Sequence, residues 1–186
     1  MERYPSRSTC LEMLKRRGVP AHIIAHSMQV NRVARFLAEK LNEQGERLDL
    51  GLVDAASLLH DMTKMDGLRT GENHARAAGH ILRQMGLPGV ARVVEQHVVV
   101  EDVPGLVKVT EEEVVNYSDK RVMHDRIVTL EERFEDLKER YGRSAEGRAL
   151  IGSYLERAKQ IERKIFRRLS LKPEDLKEHI QSSAVA

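Results

Sequence analysis

The sequence has no tryptophan, three phenylalanines and four tyrosines, so aromatics make up only 4% of its 186 residues. Sandwich and barrel cores draw on aromatic and β-branched side chains, and this composition points instead to helices. A single cysteine, Cys10, excludes an intramolecular disulfide and fits a reducing compartment. Net charge is only +2, which leaves no overall electrostatic footprint for nucleic acid. No apolar run approaches the roughly 20 residues that span a bilayer, so no membrane contact is expected. Met1–Arg7 lacks the apolar core of a signal peptide. The expectation is a soluble, cytoplasmic, all-α protein, and 41% hydrophobic residues suffice for its core.

The helical pattern can be followed along the chain. Ser8–Arg17 reads as a helix closed by Gly18, and Pro20 opens a second. Val30, Val33, Leu37 and Leu41 recur there at helical spacing, and His26 lies four residues before Val30 on the same face. The apolar run Leu52–Leu59 ends in His60-Asp61. Lys64–Gly71 is polar, contains Gly67 and Gly71, and reads as a loop. A helix from about Asn73 places His74 in line with Ala77 and Ala78, and a helix opened by Pro88 places His97 in line with Val93 and Val94. Val99–Val109 reads as a loop, and Val98-Val99-Val100 is the only β-like run. Thr110 and Glu113 form a capping box before a helix in which Asp119 lies between Val115 and Val122 on one face. Val128–Tyr141 reads as a charged helix with Leu130, Phe134 and Leu137 on one side. Arg148–Leu169 reads as a last long helix, and the tail from Gln181 as frayed.

Six metal-capable residues thus fall at inward positions: His26, His60, Asp61, His74, His97 and Asp119. A lone histidine on an apolar face is more often a hydrogen-bonded core residue than a ligand. Applied to all six, that reading leaves too many buried polar groups without partners. One or two cations satisfy them together. Nitrogen and carboxylate ligands suit Fe, Mn, Co, Ni or Zn, whereas Mg, which prefers oxygen, is less suited. Six ligands exceed what one catalytic ion wants and fit two ions roughly 3.5–4 Å apart, with Asp61 the natural bridge.

In these residues the chain resembles the HD-domain metal-dependent phosphohydrolases. The family pattern of a His, an adjacent His-Asp pair and a distant Asp is met by His26, His60-Asp61 and Asp119. His74 and His97 match the two further histidines of its binuclear subset, and the match covers roughly residues 20–125. The resemblance implies an HD-domain helical bundle over residues 1–127 and a C-terminal helical extension over 128–180. That extension is left to cover the site, to pack on the domain or to form a homo-oligomer contact. By resemblance, His26, His60, Asp61 and Asp119 hold one ion, while His74 and His97 hold the second across a bridging Asp61. A metal-activated water then attacks the phosphorus of a small-molecule phosphate ester or phosphoanhydride, nucleotide-like in kind. Some small six-ligand members hydrolyse dinucleoside polyphosphates, but the segment from Asp61 to His74 is short here and nothing selects an adenine ring.

Asp61 and Lys64 are the residues expected to carry catalysis, Lys64 as a phosphate contact three residues beyond the pair. Arg69, Lys120 and Arg121 are further phosphate candidates. His22, His80, His124 and His179 read as surface or tail, and the basic stretch from Arg157 to Lys172 as a solvated helix face interrupted by Glu162. Two other functions fit the same ligands: a di-iron oxygenase on the HD scaffold, and a non-catalytic nucleotide-binding module, which the complete ligand set disfavours.

Overall fold

The computed structural model describes residues 4–100 and 108–183. The fold is all-α. Its helices are α1 (Arg7–Arg16), α2 (Ala21–Glu43), α3 (Leu50–Leu59), α4 (Lys64–Thr70), α5 (His74–Gln84), α6 (Pro88–Glu95) and α7 (Glu111–Lys120). A two-residue hairpin follows, β1 (Val122–Met123) paired antiparallel with β2 (Arg126–Ile127). The chain ends with α8 (Leu130–Tyr141), α9 (Ala145–Phe166), a 3-10 turn at Pro173–Asp175 and α10 (Leu176–Ser183). Among the described residues no helix is long and apolar enough to cross a membrane.

The centre of the bundle is α3. Its sequence, LGLVDAASLL, is apolar nearly all round, which suits a helix enclosed by others. It packs against α1, α2, α6 and α7. Asp49 starts it by accepting from the amides of Gly51 and Leu52. The capping boxes at Thr110 and Thr129 start α7 and α8 in the same manner, each with a Glu three residues on.

Several expectations are corrected. Lys64–Gly71 is a helix rather than a loop, although seven residues are too few to hold one alone. Tertiary contacts hold it: Arg17 donates to the Met62 carbonyl and pairs with Asp66, and Gly71 ends it in a left-handed conformation (φ +80°) that glycine adopts readily. His179 lies in a helix, α10, and its ring stacks on Phe36. The hairpin went unexpected because two-residue strands leave no alternation to read. Val98–Val100 forms no strand, and the expected Val99–Val109 loop falls largely outside the described residues. The last two long helices start at Leu130 and Ala145, not Val128 and Arg148.

The hairpin of α8 and α9 is tied to the bundle by polar contacts. Lys164 on α9 donates to Glu113 on α7 at 2.7 Å, with both side chains 1% exposed. Tyr117 on α7 donates to Glu162 on α9 at 2.6 Å. Removing one partner of a fully buried pair strands the other charge. Lys164→Met is expected to lower the free energy of urea unfolding by about 3–5 kcal/mol. A loss below about 1 kcal/mol would mean that the pair does not hold α9 in place.

Candidate metal centre

Three of the four inward histidines are oriented by the same contact. Nδ1 of His60 donates to the Ser57 carbonyl, Nδ1 of His97 to the Val94 carbonyl and Nδ1 of His26 to the His124 carbonyl, each at 2.7 Å. A carbonyl only accepts, so Nδ1 carries the proton and the neutral ring presents a lone pair at Nε2. Ser57 and Val94 lie in the last turns of α3 and α6, where carbonyls have lost their i+4 helical partner; that of Val94 also accepts from the His97 amide at 3.2 Å. Each of these helix ends therefore aims the histidine three residues on, and its negative dipole end favours a cation nearby. His124 belongs to the turn of the β1–β2 hairpin. Its φ of +58° is left-handed, a strained conformation for a residue with a Cβ, and its carbonyl meets His26.

The expected inward helical faces are thus partly helix ends. Only His26, His74 and Asp119 lie within helices; His60 is the C-cap of α3, Asp61 follows it, and His97 stands two residues past α6. His74 is the first residue of α5. Thr63 holds it by donating to its carbonyl at 2.6 Å. Gly67 lets α4 close on it, since a Cβ there would stand 2.9 Å from both the Glu72 carbonyl oxygen and His74 Cβ. Asn116 donates to the carbonyls of Gln96 and His97 and fixes the turn beyond α6.

All six residues meet. They fall into two groups, His26 with His60 and Asp119, and Asp61 with His74 and His97, whose ligand atoms lie within 4.8 Å of one another in each group. His26 Nε2 is 3.0 Å from Asp119 Oδ1, and His74 Nε2 is 3.1 Å from His97 Nε2. Asp61 stands between the groups and turns one oxygen to each. Oδ2 is 3.5 Å from His60 Nε2 and 3.9 Å from His26 Nε2; Oδ1 is 3.5 Å from His74 Nε2 and 3.7 Å from His97 Nε2.

The donor set fits metal ions. Nε2 of His60 is buried, and among the described residues it has no hydrogen-bond partner. The nearest carboxylate oxygens, at 3.5 and 3.6 Å, attract it by charge but lie beyond hydrogen-bond length. The lone pairs of His26 and Asp119 face each other and need a shared proton or cation. Ligand atoms about 2 Å from a common ion stand roughly 3 Å or somewhat more apart, which is the spacing found here.

Charge on these groups follows from their company. Burial alone would lower the His60 pKa, but the charges of Asp61 and Asp119 outweigh it and raise it to about 9. Burial drives His97 down to about 3, with the charge of His60 adding to the effect. Burial would raise both carboxyls, yet both lie well below the usual range: His60 chiefly holds Asp61 there, and Lys120 chiefly holds Asp119. Burial opposes the Lys64 ammonium, while Asp61 and Asp119 raise its pKa and Arg133 pulls it back.

Among the phosphate candidates, Lys64 and Lys120 are at the centre. Lys64 Nζ donates to Asp61 Oδ2 at 2.6 Å, and Lys120 Nζ to Asp119 Oδ2 at 2.7 Å. Arg69 lies elsewhere, exposed beside Asp66 in a surface cleft with Arg17 and His80. Arg121 is buried away from the centre, bonded to the Val128 and Pro173 carbonyls and to Tyr117. Arg133 and Arg140 of α8, not singled out from the sequence, line the same cavities as Asp61 and Lys64. A signal existed for Arg133. It stands three residues from Leu130 and four from Leu137, on the apolar stripe of its helix.

The family model for the HD domain matches residues 23–180, so the chain belongs to the HD domain family, whose members are generally metal-dependent phosphohydrolases. The match runs beyond the motif span of roughly 20–125 and takes in α8 and α9. No solved structure gives a significant match to the chain.

A pH dependence follows for the metal-free protein. The folded-state pKa of His60, about 9, exceeds its unfolded value of about 6.5, so its contribution to stability is full below about pH 6.5 and is lost as pH rises through 9. A metal ion needs the unprotonated Nε2 and must expel that proton, whereas His97 has none to lose at neutral pH. Titration of Mn or Zn into metal-free protein is expected to release about one proton, and affinity to rise about tenfold per pH unit between 7 and 9. Calorimetry in buffers of different ionisation enthalpy measures both; a pH-independent affinity would contradict the assignment.

Proposed function

We propose that this protein is a phosphohydrolase that cleaves a phosphate ester or phosphoanhydride of a small, nucleotide-like molecule. One observation carries the reading: two ligand groups face each other across Asp61, and each has one of its oxygens. His26, His60, Asp119 and Asp61 would hold one divalent transition metal, and His74, His97 and the other Asp61 oxygen a second, from among Fe, Mn, Co, Ni or Zn. When bound, such a pair supplies a nucleophilic water at neutral pH and polarises the phosphoryl oxygens.

The protein's own groups do the rest. The three Nδ1 contacts keep the imidazoles turned so that Nε2 faces inward and no rotation is needed on loading. Lys64, 30% exposed at its side chain, stands at the mouth and offers a point charge to a phosphoryl oxygen while remaining near Asp61. Lys120 is held by the His97 carbonyl and Asp119, so its charge is fixed where negative charge grows on the phosphoryl group.

Asp61→Ala is expected to bring metal content, read by elemental mass spectrometry, close to zero. It should also abolish Mn-dependent hydrolysis across a phosphate-ester panel, with the helical circular dichroism kept. Full activity in that variant would refute the assignment of Asp61. Wild-type hydrolysis under strictly anaerobic conditions separates this function from a di-iron oxygenase, which needs dioxygen. Failure to cleave any ester with metal loaded would favour a binding module.

A further inference from the structure

Five large hydrophobic side chains among the described residues are exposed: Met65, Leu68, Met85, Tyr141 and Leu150. Four of these five line two cavities that both reach Asp61. Scattered exposed apolar residues need no explanation, but apolar residues gathered around a polar centre do. The larger share of apolar wall belongs to the cavity under the α8–α9 hairpin, with a volume of about 370 Å³. Phe134 and Leu137 come from α8, and Leu150, Ile151 and Tyr154 from α9. Its polar groups gather at one end, where Asp61, His74, His97, Asp119, Lys64 and Lys120 stand.

Beyond that end the polar side chains are Arg133, Arg140, Tyr141 and Tyr154. Among the described residues no Asn, Gln, Ser, Thr or Glu side chain lines the cavity. Such a wall packs against the face of a flat ring, a base included, and offers few partners to a chain of hydroxyls, which are disfavoured when buried unpaired. A cavity of ~150 Å³ encloses benzene, so the space here admits a phosphate with a one- or two-ring group attached.

Arg133 is placed to hold the phosphate. Its side chain is 10% exposed, it lines both cavities, and its Nε has no partner among the described residues. Asp136 accepts from Arg133 Nη1 at 3.0 Å and from Arg140 Nε and Nη2 at 2.8 and 2.6 Å, so one carboxylate sets both guanidinium groups on one face of α8. A guanidinium that lines the same two cavities as Lys64 adds a second positive charge beside the centre, and this company suits an anion. The inference rests on the phosphohydrolase reading of the centre and adds what the substrate carries. We propose that the hairpin cavity selects phosphates bearing a flat ring over those bearing a polyhydroxyl group, with Arg133 gripping the phosphoryl group and the ring seated among Phe134, Leu137 and Leu150.

The test uses phosphonates, which are not hydrolysed, on the metal-loaded full chain by calorimetry. Benzylphosphonate is expected to bind about tenfold or more tighter than 2-hydroxyethylphosphonate. Leu150→Glu, at a position 52% exposed and so safe for folding, should erase that preference with metal content as in wild type. Arg133→Gln should weaken both phosphonates and inorganic phosphate by about tenfold with metal content unchanged, and Arg133→Lys should recover part of the loss. Equal affinity for the two phosphonates, a preference that survives Leu150→Glu, or no binding of any probe overturns the proposal. A protein that cleaves phosphate esters but ranks the phosphonates equally loses this inference and keeps its function. One that ranks them as expected but cleaves no ester keeps the inference and loses the phosphohydrolase reading.

Discussion

Three hydrogen bonds from Nδ1 to a backbone carbonyl govern the centre. An imidazole has two nitrogens, and a ring free to turn or to change tautomer offers its lone pair in the wrong direction half the time. In His60 and His97 the remedy is local. The last turn of a helix has carbonyls with bonding capacity to spare, and the histidine three residues on takes one of them. One contact closes the helix and fixes the ring. His26 lies inside α2, where every carbonyl is used, so its partner is brought from the distant hairpin at His124. The left-handed backbone at His124 is what the first position of a two-residue hairpin turn requires, and the turn so formed presents the carbonyl to His26.

Around that constraint the fold divides its labour. The apolar α3 fixes the His60-Asp61 pair from below, and the helices packed against it bring in the other ligands. The α8–α9 hairpin contributes no candidate ligand. It supplies the far wall of a cavity that opens on Asp61, and its position relative to Asp119 is held by Lys164 with Glu113 and by Tyr117 with Glu162. Both contacts land on α7, the helix that bears Asp119, so wall and centre share one support.

The six centre residues were legible because each interrupts an apolar stripe with a group that cannot be buried alone. What stayed hidden has physical causes. Spacing by three and four continues past a helix terminus, so His60 and His97 read as helical although they stand at or beyond helix ends. No glycine or proline marks those ends; the histidines themselves do the capping. The helix at Lys64 depends on Arg17 and on contacts with α5, which lie outside any local window. Arg133 broke a stripe in the same way as His26 did. On a helix rich in charge, one more cation among Leu130, Phe134 and Leu137 did not stand out.

The separation of the residues along the chain bears on the order in which the centre comes together. His74 and His97 are 23 positions apart, whereas His26 and Asp119 are 93 apart. Closing the longer loop is the slower and entropically costlier step. A chain made from its N-terminus already contains Asp61, His74 and His97 before Asp119 has been added. One half of the centre is therefore a matter of nearby turns and the other a matter of topology. Bringing α2 against α7 completes the second half and also sets the base on which the α8–α9 wall rests, so the cavity depends on the longest-range contact between the centre residues.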